Sequence, residues 1–118
     1  MCCIAYLFHH GPAYLVIDLH LHILAGIDDG AQDRTESINM LRLAASPGYR
    51  TLVATPHLHD PDLEDWDAIA EETDWLRFQA AEHGIDLRQG YEIRIHPNLA
   101  GWTSLPHPIS LAGSKTLL

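Results

Sequence analysis

Val-Ile-Asp-Leu-His-Leu-His-Ile-Leu, residues 16–24, is the stretch around which the rest of the chain is organised. It is an apolar run with two histidines at positions i and i+2, and on a β-strand side chains two residues apart share a face. We therefore expect Asp18, His20 and His22 to point to one side and the intervening aliphatic side chains to form a buried hydrophobic side. Two imidazoles one pleat apart are well placed to hold a metal ion or two neighbouring ions.

The turn after this strand adds carboxylates near the strand's end. Gly-Ile-Asp-Asp-Gly occupies residues 26–30, and histidine with aspartate is a ligand set for Zn, Mn or Fe. The alternative is a strand whose histidines are merely hydrogen-bonded, which is the better interpretation of an isolated histidine. His-x-His followed by Asp-Asp-Gly favours a metal site, provided that other segments bring ligands to the same place.

Length, composition and charge restrict the classes of protein. The chain has 118 residues, 47% hydrophobic and 19% charged, which is typical of one small globular domain. Its formal net charge of −9 excludes nucleic acid as an expected partner, because no basic surface is available to neutralise phosphates. No apolar run is long enough for a membrane span. Cys2 and Cys3 are adjacent, a poor geometry for a mutual disulfide, so a reducing cytoplasm is the expected location.

Hydrophobic periodicity and breaker residues predict alternating strands and helices. The predicted elements are a strand over about residues 14–24, a helix from 33 or 35 to 45, a strand at 50–55, a helix over 61–82, a strand at 86–89, a short helix at 98–102 and the start of a further strand at 115–118. This β-α-β-α-β order predicts an α/β fold of parallel strands joined by right-handed crossovers.

The side chains of ligand type all fall late in a strand or just after one. Sites in α/β folds collect at the carboxyl ends of parallel strands, so three separate segments should deliver these groups to one rim. The predicted site residues are His20, His22, Asp29, His57 and Glu92. The other histidines, for which we predict no firm role, are His9, His10, His59, His83, His96 and His107.

Four motifs together resemble the bacterial PHP-class tyrosine phosphatases, the metal-dependent phosphatases of capsular and exopolysaccharide gene clusters. The motifs are Asp-Leu-His-Leu-His at 18–22, Gly-Ile-Asp-Asp-Gly at 26–30, Ala-Thr-Pro-His at 54–57 and Gly-Tyr-Glu-Ile-Arg at 90–94. The resemblance implies the N-terminal portion of a PHP-type distorted β/α barrel, truncated. It also implies a divalent metal cluster, most often manganese, with zinc, iron or magnesium as alternatives. The implied substrate is phosphotyrosine on the autophosphorylating tyrosine kinase of the same pathway.

The resemblance also assigns roles to individual residues. It implies that His20 and His22 form the first metal-binding pair, that Asp29 is the loop ligand, and that His57 and Glu92 are ligands at the ends of later strands. Arg94 follows Glu92 in the family pattern, which suggests either phosphate contact or a structural pairing, and we predict that it is the catalytic residue. No Cys-x5-Arg signature is present, which excludes a phosphatase with a cysteine nucleophile.

The sequence is also compatible with two rival functions. One is another PHP phosphoesterase of the histidinol-phosphate type, but the second and fourth motifs favour the tyrosine phosphatase. The other is a catalytically inactive fragment, because family members continue beyond this length with further metal-binding motifs. On that basis we expect the 118 residues alone to be marginally stable, prone to self-association into a homo-oligomer, and nearly inactive.

The N-terminal segment is expected to lie outside the family domain. Family members begin almost at the first strand, and Val16 holds the place of their start residue here. We therefore predict a non-family N-terminal extension at residues 1–15 and a partial PHP phosphatase domain at residues 16–118. The alternative is that the first residues add a genuine extra strand or arm.

Overall fold

Strands and helices alternate along most of the chain in the computed structural model, which describes residues 4–7, 15–102 and 109–118. The elements are β1 (Ile4–Leu7), β2 (Leu15–Leu21), α1 (Arg34–Ala45), β3 (Tyr49–Ala54), β4 (His57–Leu58), α2 (Trp66–Glu82), β5 (Asp86–Gln89), β6 (Glu92–Ile93), α3 (Leu99–Trp102) and a 3₁₀ turn (Leu111–Gly113). The predictions for His9, His10 and His107 fall outside the described residues.

The main sheet has the strand order β1-β2-β3-β5. Strand β2 is parallel to β3, and β3 is parallel to β5, so the predicted α/β fold with parallel strands is confirmed. Strand β1 pairs antiparallel with β2 at the edge, with Ile4 opposite Asp18, which makes the sheet mixed. The division of the chain at residue 16 stays a prediction.

A second, two-stranded sheet extends the carboxyl side of the main sheet. Strands β4 and β6 are parallel, and their register places His57 opposite Glu92 and Leu58 opposite Ile93. Because β4 follows β3 directly and β6 follows β5 directly, the two short strands lie beyond the ends of the strands that precede them. This arrangement moves His57 and Glu92 toward the edge where β2 ends.

Aspartate side chains fix where both main helices begin. The Asp33 carboxylate accepts a hydrogen bond from the Glu36 amide (2.9 Å), as expected for an N-cap. The second helix begins at Trp66, so its predicted start at Pro61 was wrong: Asp65 caps it by accepting from the Ala68 amide (3.0 Å). The Pro61 carbonyl instead accepts a hydrogen bond from the Trp66 indole (2.9 Å), which holds the preceding turn outside the helix.

The hydrophobic core gathers side chains from the sheet and the two longer helices. Its fully buried members include Ile23, Leu24, Leu41, Leu52, Ala54, Leu58 and Leu76. The aliphatic side of β2 is less covered than predicted, because Ile17, Leu19 and Leu21 are only half-buried. Helices α1 and α2 pack mainly on β3 and β5, which leaves β2 toward the margin of the covered area.

The chain after α3 differs from its prediction. In the described residues from 109 onward, no strand forms at 115–118, so that part of the prediction was wrong. The Leu111 amide donates to the Thr116 carbonyl (2.8 Å), which closes a turn, and the Ile93 amide donates to the Leu118 carbonyl (3.0 Å). No helix within the described ranges is both long and apolar enough to cross a membrane.

Truncating a core side chain of α2 should destabilise the fold far more than truncating an exposed one on the same helix. Leu76 is 1% exposed, whereas Phe78 is 67% exposed. Leu76→Ala should lower the free energy of unfolding by about 2–5 kcal/mol, whereas Phe78→Ala should change it by no more than about 0.5 kcal/mol. Urea titration followed by far-UV circular dichroism measures both, and equal losses would contradict this description of the core.

Candidate metal centre

A cleft of about 510 Å³ lies at the carboxyl ends of the strands, and we call it the His-Asp-Glu cleft. Its lining residues are His20, Leu21, His22, Asp29, Gly30, Met40, His57 and Glu92. The five residues that the sequence predicted as metal ligands are all among them. A larger cavity of about 640 Å³ lies between α2 and β5, but none of its lining residues is a histidine. The smaller cleft is therefore the candidate site.

The Glu92 carboxylate is the point where three histidines meet. Its Oε2 atom lies 2.9 Å from His20 Nε2, 2.9 Å from His22 Nε2 and 3.4 Å from His57 Nδ1. The hydrogen bond with His20 is the main cause of a lowered pKa of the Glu92 carboxyl, and the partial burial that opposes it is outweighed. Glu92 is thus held as a carboxylate, which is the form that binds a cation.

Asp28, which the sequence analysis passed over, lies inside the site. Its Oδ2 atom accepts from His22 Nδ1 (2.8 Å) and from the His57 amide (3.1 Å), and its Oδ1 atom accepts from the Gly30 amide (2.9 Å). Burial raises the pKa of the Asp28 carboxyl, but these hydrogen bonds outweigh burial, so the net pKa is below the usual value. Asp28 is therefore a buried carboxylate that orients His22.

Asp29 lies at the rim of the cleft and points to solvent for most of its surface. Its side chain is 80% exposed, against 6% for Asp28, and its Oδ1 atom lies 3.1 Å from His57 Nε2. A signal for Asp28 was present in the sequence, because Asp-x-Gly is the pattern of an Asx turn in which the carboxylate accepts from the amide two residues on. That turn is what directs Asp28 inward.

The ligand-type atoms form two overlapping groups that share His22. One group is His20, His22 and Glu92, and the other is His22, Asp28, Asp29 and His57; within each group one ligand atom per residue lies within 4.8 Å of the others. Histidine nitrogens with carboxylate oxygens are the donors that Zn, Mn and Fe take in proteins.

The orientation of the His22 ring shows which of its two nitrogen atoms is available to bind a cation. Its Nδ1 atom faces Asp28 at 2.8 Å, which places the ring proton there and leaves a lone pair on Nε2. That lone pair faces His20 Nε2 at 3.1 Å and Glu92 Oε2 at 2.9 Å. Electron-rich atoms at these separations need a proton or a metal cation between them, so the donor set fits a divalent metal.

Gly30 is required by a close approach of the loop to the strand. A Cβ atom at this position would meet the His22 carbonyl oxygen at 2.1 Å and the His22 Cβ atom at 2.5 Å. The loop is closed by hydrogen bonds from the Ala31 amide to the His22 carbonyl (3.1 Å) and from the Gly26 amide to the Ala31 carbonyl (2.8 Å). The loop that carries Asp28 and Asp29 is thereby packed directly against a predicted ligand.

Arg94 differs from the other predicted site residues because it is not among the residues that line the His-Asp-Glu cleft. It is exposed, and its amide donates to the Leu58 carbonyl (3.0 Å), which continues the pairing of β4 with β6. Its predicted catalytic role stays a prediction.

The fold and the cleft define an α/β protein that gathers histidine and carboxylate ligands at the carboxyl edge of a parallel sheet. Within that class, residues 16–118 match the model of one family, described as "Capsular polysaccharide synthesis, CpsB/CapC". The chain belongs to this family.

Similar proteins are named as phosphatases. The chain is 36% identical over 106 residues to the tyrosine-protein phosphatase YwqE of Bacillus subtilis (strain 168), with 87% of this chain and 42% of that protein covered. It is 35% identical over 85 residues to the tyrosine-protein phosphatase CpsB of Streptococcus pneumoniae, with 71% of this chain and 35% of that protein covered. The chain thus spans less than half the length of the curated relatives it matches.

A solved structure shares the fold. It comes from the crystal structures of YwqE from Bacillus subtilis and CpsB from Streptococcus pneumoniae, described as unique metal-dependent tyrosine phosphatases. The TM-score is 0.61 at 38% identity, with 73% of this chain and 36% of that chain covered. The predicted resemblance to metal-dependent tyrosine phosphatases of capsule synthesis is therefore confirmed at the level of the family.

Removing the charge of Asp28 should weaken metal binding. Asp28→Asn loses the negative charge that orients His22, and loss of such a supporting group typically lowers metal affinity about 10–100-fold. Asp62→Asn is the matched control, because Asp62 is an exposed aspartate whose amide bonds to Asp60. Calorimetric titration with ZnCl₂ measures both, and a zinc affinity of Asp28→Asn within twofold of the wild type would contradict the assignment of Asp28.

A methyl group at residue 30 should disturb both the loop and the predicted ligand beneath it. Gly30→Ala brings a Cβ atom against the His22 backbone, and overpacking of this kind costs about 1–3 kcal/mol. Gly101→Ala is the control, because a Cβ atom there meets nothing within 4 Å. We expect a lower free energy of unfolding and weaker zinc binding for Gly30→Ala only; urea titration and calorimetry report the two effects separately.

Proposed function

We propose that this chain belongs to a metal-dependent phosphotyrosine-protein phosphatase that acts in capsular polysaccharide synthesis. The observation that carries the proposal is the convergence of three histidines on the Glu92 carboxylate, with Asp28 orienting His22 from behind. Relatives that the chain matches are named tyrosine-protein phosphatases, and the solved structure that it resembles is described as metal-dependent.

In this proposal the two ligand groups hold divalent cations, with manganese the first candidate and zinc, iron or magnesium as alternatives. The proposed ligands are His20, His22, Asp29, His57 and Glu92, and Asp28 is the group that orients His22 from behind. When bound, divalent cations supply the positive charge that a phosphate monoester dianion requires and acidify a coordinated water. The chain's own residues would hold these cations, and Asp28 would keep the His22 ring oriented toward them.

Charge makes the cations necessary for substrate binding. The chain carries a formal net charge of −9, so a phosphate dianion is repelled at long range. In the cleft itself, the Asp28 and Glu92 carboxylates would repel a phosphate unless cations offset them. Arg94 is proposed to add positive charge from outside the cleft, because it is exposed and directly follows the strand that carries Glu92.

The proposed substrate is a phosphotyrosine protein, with the tyrosine kinase of the same pathway as the specific candidate and the cytoplasm as the place where they meet. The family description and the names of the relatives support a phosphotyrosine substrate in capsule synthesis. The kinase itself, the location and a homo-oligomeric state stay predictions.

Hydrolysis of a phosphotyrosine peptide in the presence of MnCl₂ tests the proposal, with histidinol phosphate as the competing substrate. We expect slow phosphate release from the peptide that a chelator abolishes, in keeping with the weak activity expected of the 118 residues alone, and still less release from histidinol phosphate. Greater turnover of histidinol phosphate would favour the rival phosphoesterase. Absence of turnover on both substrates with every metal tried would mean that the 118 residues alone are not an active phosphatase.

Loss of the His57 side chain should abolish turnover, because it removes the contacts of its two ring nitrogens with the Asp29 and Glu92 carboxylates. His57 Nε2 lies 3.1 Å from Asp29 and Nδ1 lies 3.4 Å from Glu92. His57→Ala should lower the turnover of p-nitrophenyl phosphate with manganese at least about 100-fold. His83→Ala is the control, because His83 lies at the C-terminal end of α2. Equal turnover by both variants would contradict the proposed role of His57.

A further inference from the structure

His59 lies immediately outside the His-Asp-Glu cleft, in a row that the strand register defines. Strands β4 and β6 place His57 opposite Glu92, and the ladder continues with the Arg94 amide bonded to the Leu58 carbonyl (3.0 Å). His59 and Arg94 directly follow these two strands, two residues beyond His57 and Glu92, and the Arg94 bond continues the backbone pairing past the strand ends, so they form the next row outward. The ring contact between His57 and His59, with centroids 5.4 Å apart and planes at 21°, agrees with this position for His59.

The spacing of the two rows matches the length of an aryl phosphate. Two residues along a strand span about 6.6 Å. In an aryl phosphate the ring begins one bond beyond the bridging oxygen, so a phosphate held beside His57 and Glu92 extends its ring toward the His59 row. Imidazole and guanidinium groups both stack on aromatic rings, and His59 is exposed and available for such a contact.

The charges around His59 favour an uncharged ring over an acidic group. The segment that follows is strongly acidic, with carboxylates at Asp60, Asp62, Glu64 and Asp65. Glu64 also accepts a hydrogen bond from the His59 amide (3.1 Å), which places a carboxylate next to the His59 backbone. An acidic side chain of a substrate would be repelled here, whereas an aromatic ring carries no net charge.

We propose that His59 is a specificity-determining residue that stacks on the aromatic ring of an aryl phosphate and so distinguishes it from an alkyl phosphate. This inference rests on the proposed function, because it takes the phosphate to lie in the His-Asp-Glu cleft. It adds a residue that the motifs do not assign and gives a physical reason for the phosphotyrosine substrate of the proposed function.

Two phosphonates separate the ring contact from the phosphate contact without requiring turnover. Phenylphosphonate carries an aromatic ring, and methylphosphonate offers a similar anionic group without one. Binding of each to the zinc-loaded chain is measured by calorimetry for the wild type, His59→Ala, His59→Phe and the control His83→Ala. His83 lies at the C-terminal end of α2, just before β5 begins, and is not among the residues that line the cleft.

We expect the wild type to bind phenylphosphonate more tightly than methylphosphonate. His59→Ala should lose about threefold to tenfold in affinity for phenylphosphonate and nothing for methylphosphonate, and His59→Phe should restore the difference. The control variant should behave as the wild type does.

Each other outcome has a definite meaning. If both phosphonates bind the wild type but His59→Ala keeps the preference for the ring, the role of His59 is wrong and the proposed function is untouched. If His59→Ala loses both phosphonates equally, His59 supports the cleft and does not select the ring. If neither phosphonate binds the wild type, the phosphate site itself is wrong, and the proposed function and this inference are overturned together.

Discussion

The Asp28 carboxylate joins three parts of the chain that carry the site. Its two oxygens accept hydrogen bonds from the His22 ring at the end of β2, from the Gly30 amide within the loop and from the His57 amide at β4. A buried charge is costly unless it is paired and hydrogen-bonded, and these three donors meet that requirement. The positions of two predicted ligands therefore depend on one side chain that is itself not at the surface.

This constraint explains why the site is built where short segments meet. Strands β3 and β5 each lead within a few residues into β4 and β6, and those two strands pair with each other. The pairing of β4 with β6 places Glu92 beside His57. The close contact of Gly30 with the His22 backbone packs the loop that carries Asp28 and Asp29 against β2. Ligand positions thus follow from backbone register and close packing, with little left to side-chain flexibility.

The sequence was sufficient for the parts of this arrangement that depend on local periodicity. The alternation in residues 16–24 predicted that His20 and His22 share a face, and both rings contact Glu92. The parallel β-α-β order predicted that groups late in separate strands would converge. The Asp-x-Gly pattern marks Asp28 as the residue whose carboxylate turns back to the Gly30 amide. It does not show that this turn faces His22 and His57, because that depends on how the loop packs against the strands.

Other differences arose where tertiary contacts override a local pattern. Residues 61–65 suit the first turn of a helix, yet the bond from the Trp66 indole to the Pro61 carbonyl and the Asp65 cap start α2 later. Residues 115–118 have the composition of a strand, yet the Thr116 carbonyl accepts a hydrogen bond from the Leu111 amide, which closes a turn. Burial of Ile17, Leu19 and Leu21 depends on which strands the helices cover, and periodicity carries no information about that.

Asp28 accepts hydrogen bonds from two backbone amides, and hydrogen exchange at these amides can report whether the site is ordered. The Gly30 and His57 amides donate to the Asp28 side chain, whereas the amides within the main sheet donate to neighbouring strands. Local opening of the loop releases these two protons without unfolding the sheet. The rate at which these two amides take up deuterium therefore measures how often the loop opens. Mass spectrometry or nuclear magnetic resonance can measure this rate with or without a metal in the cleft.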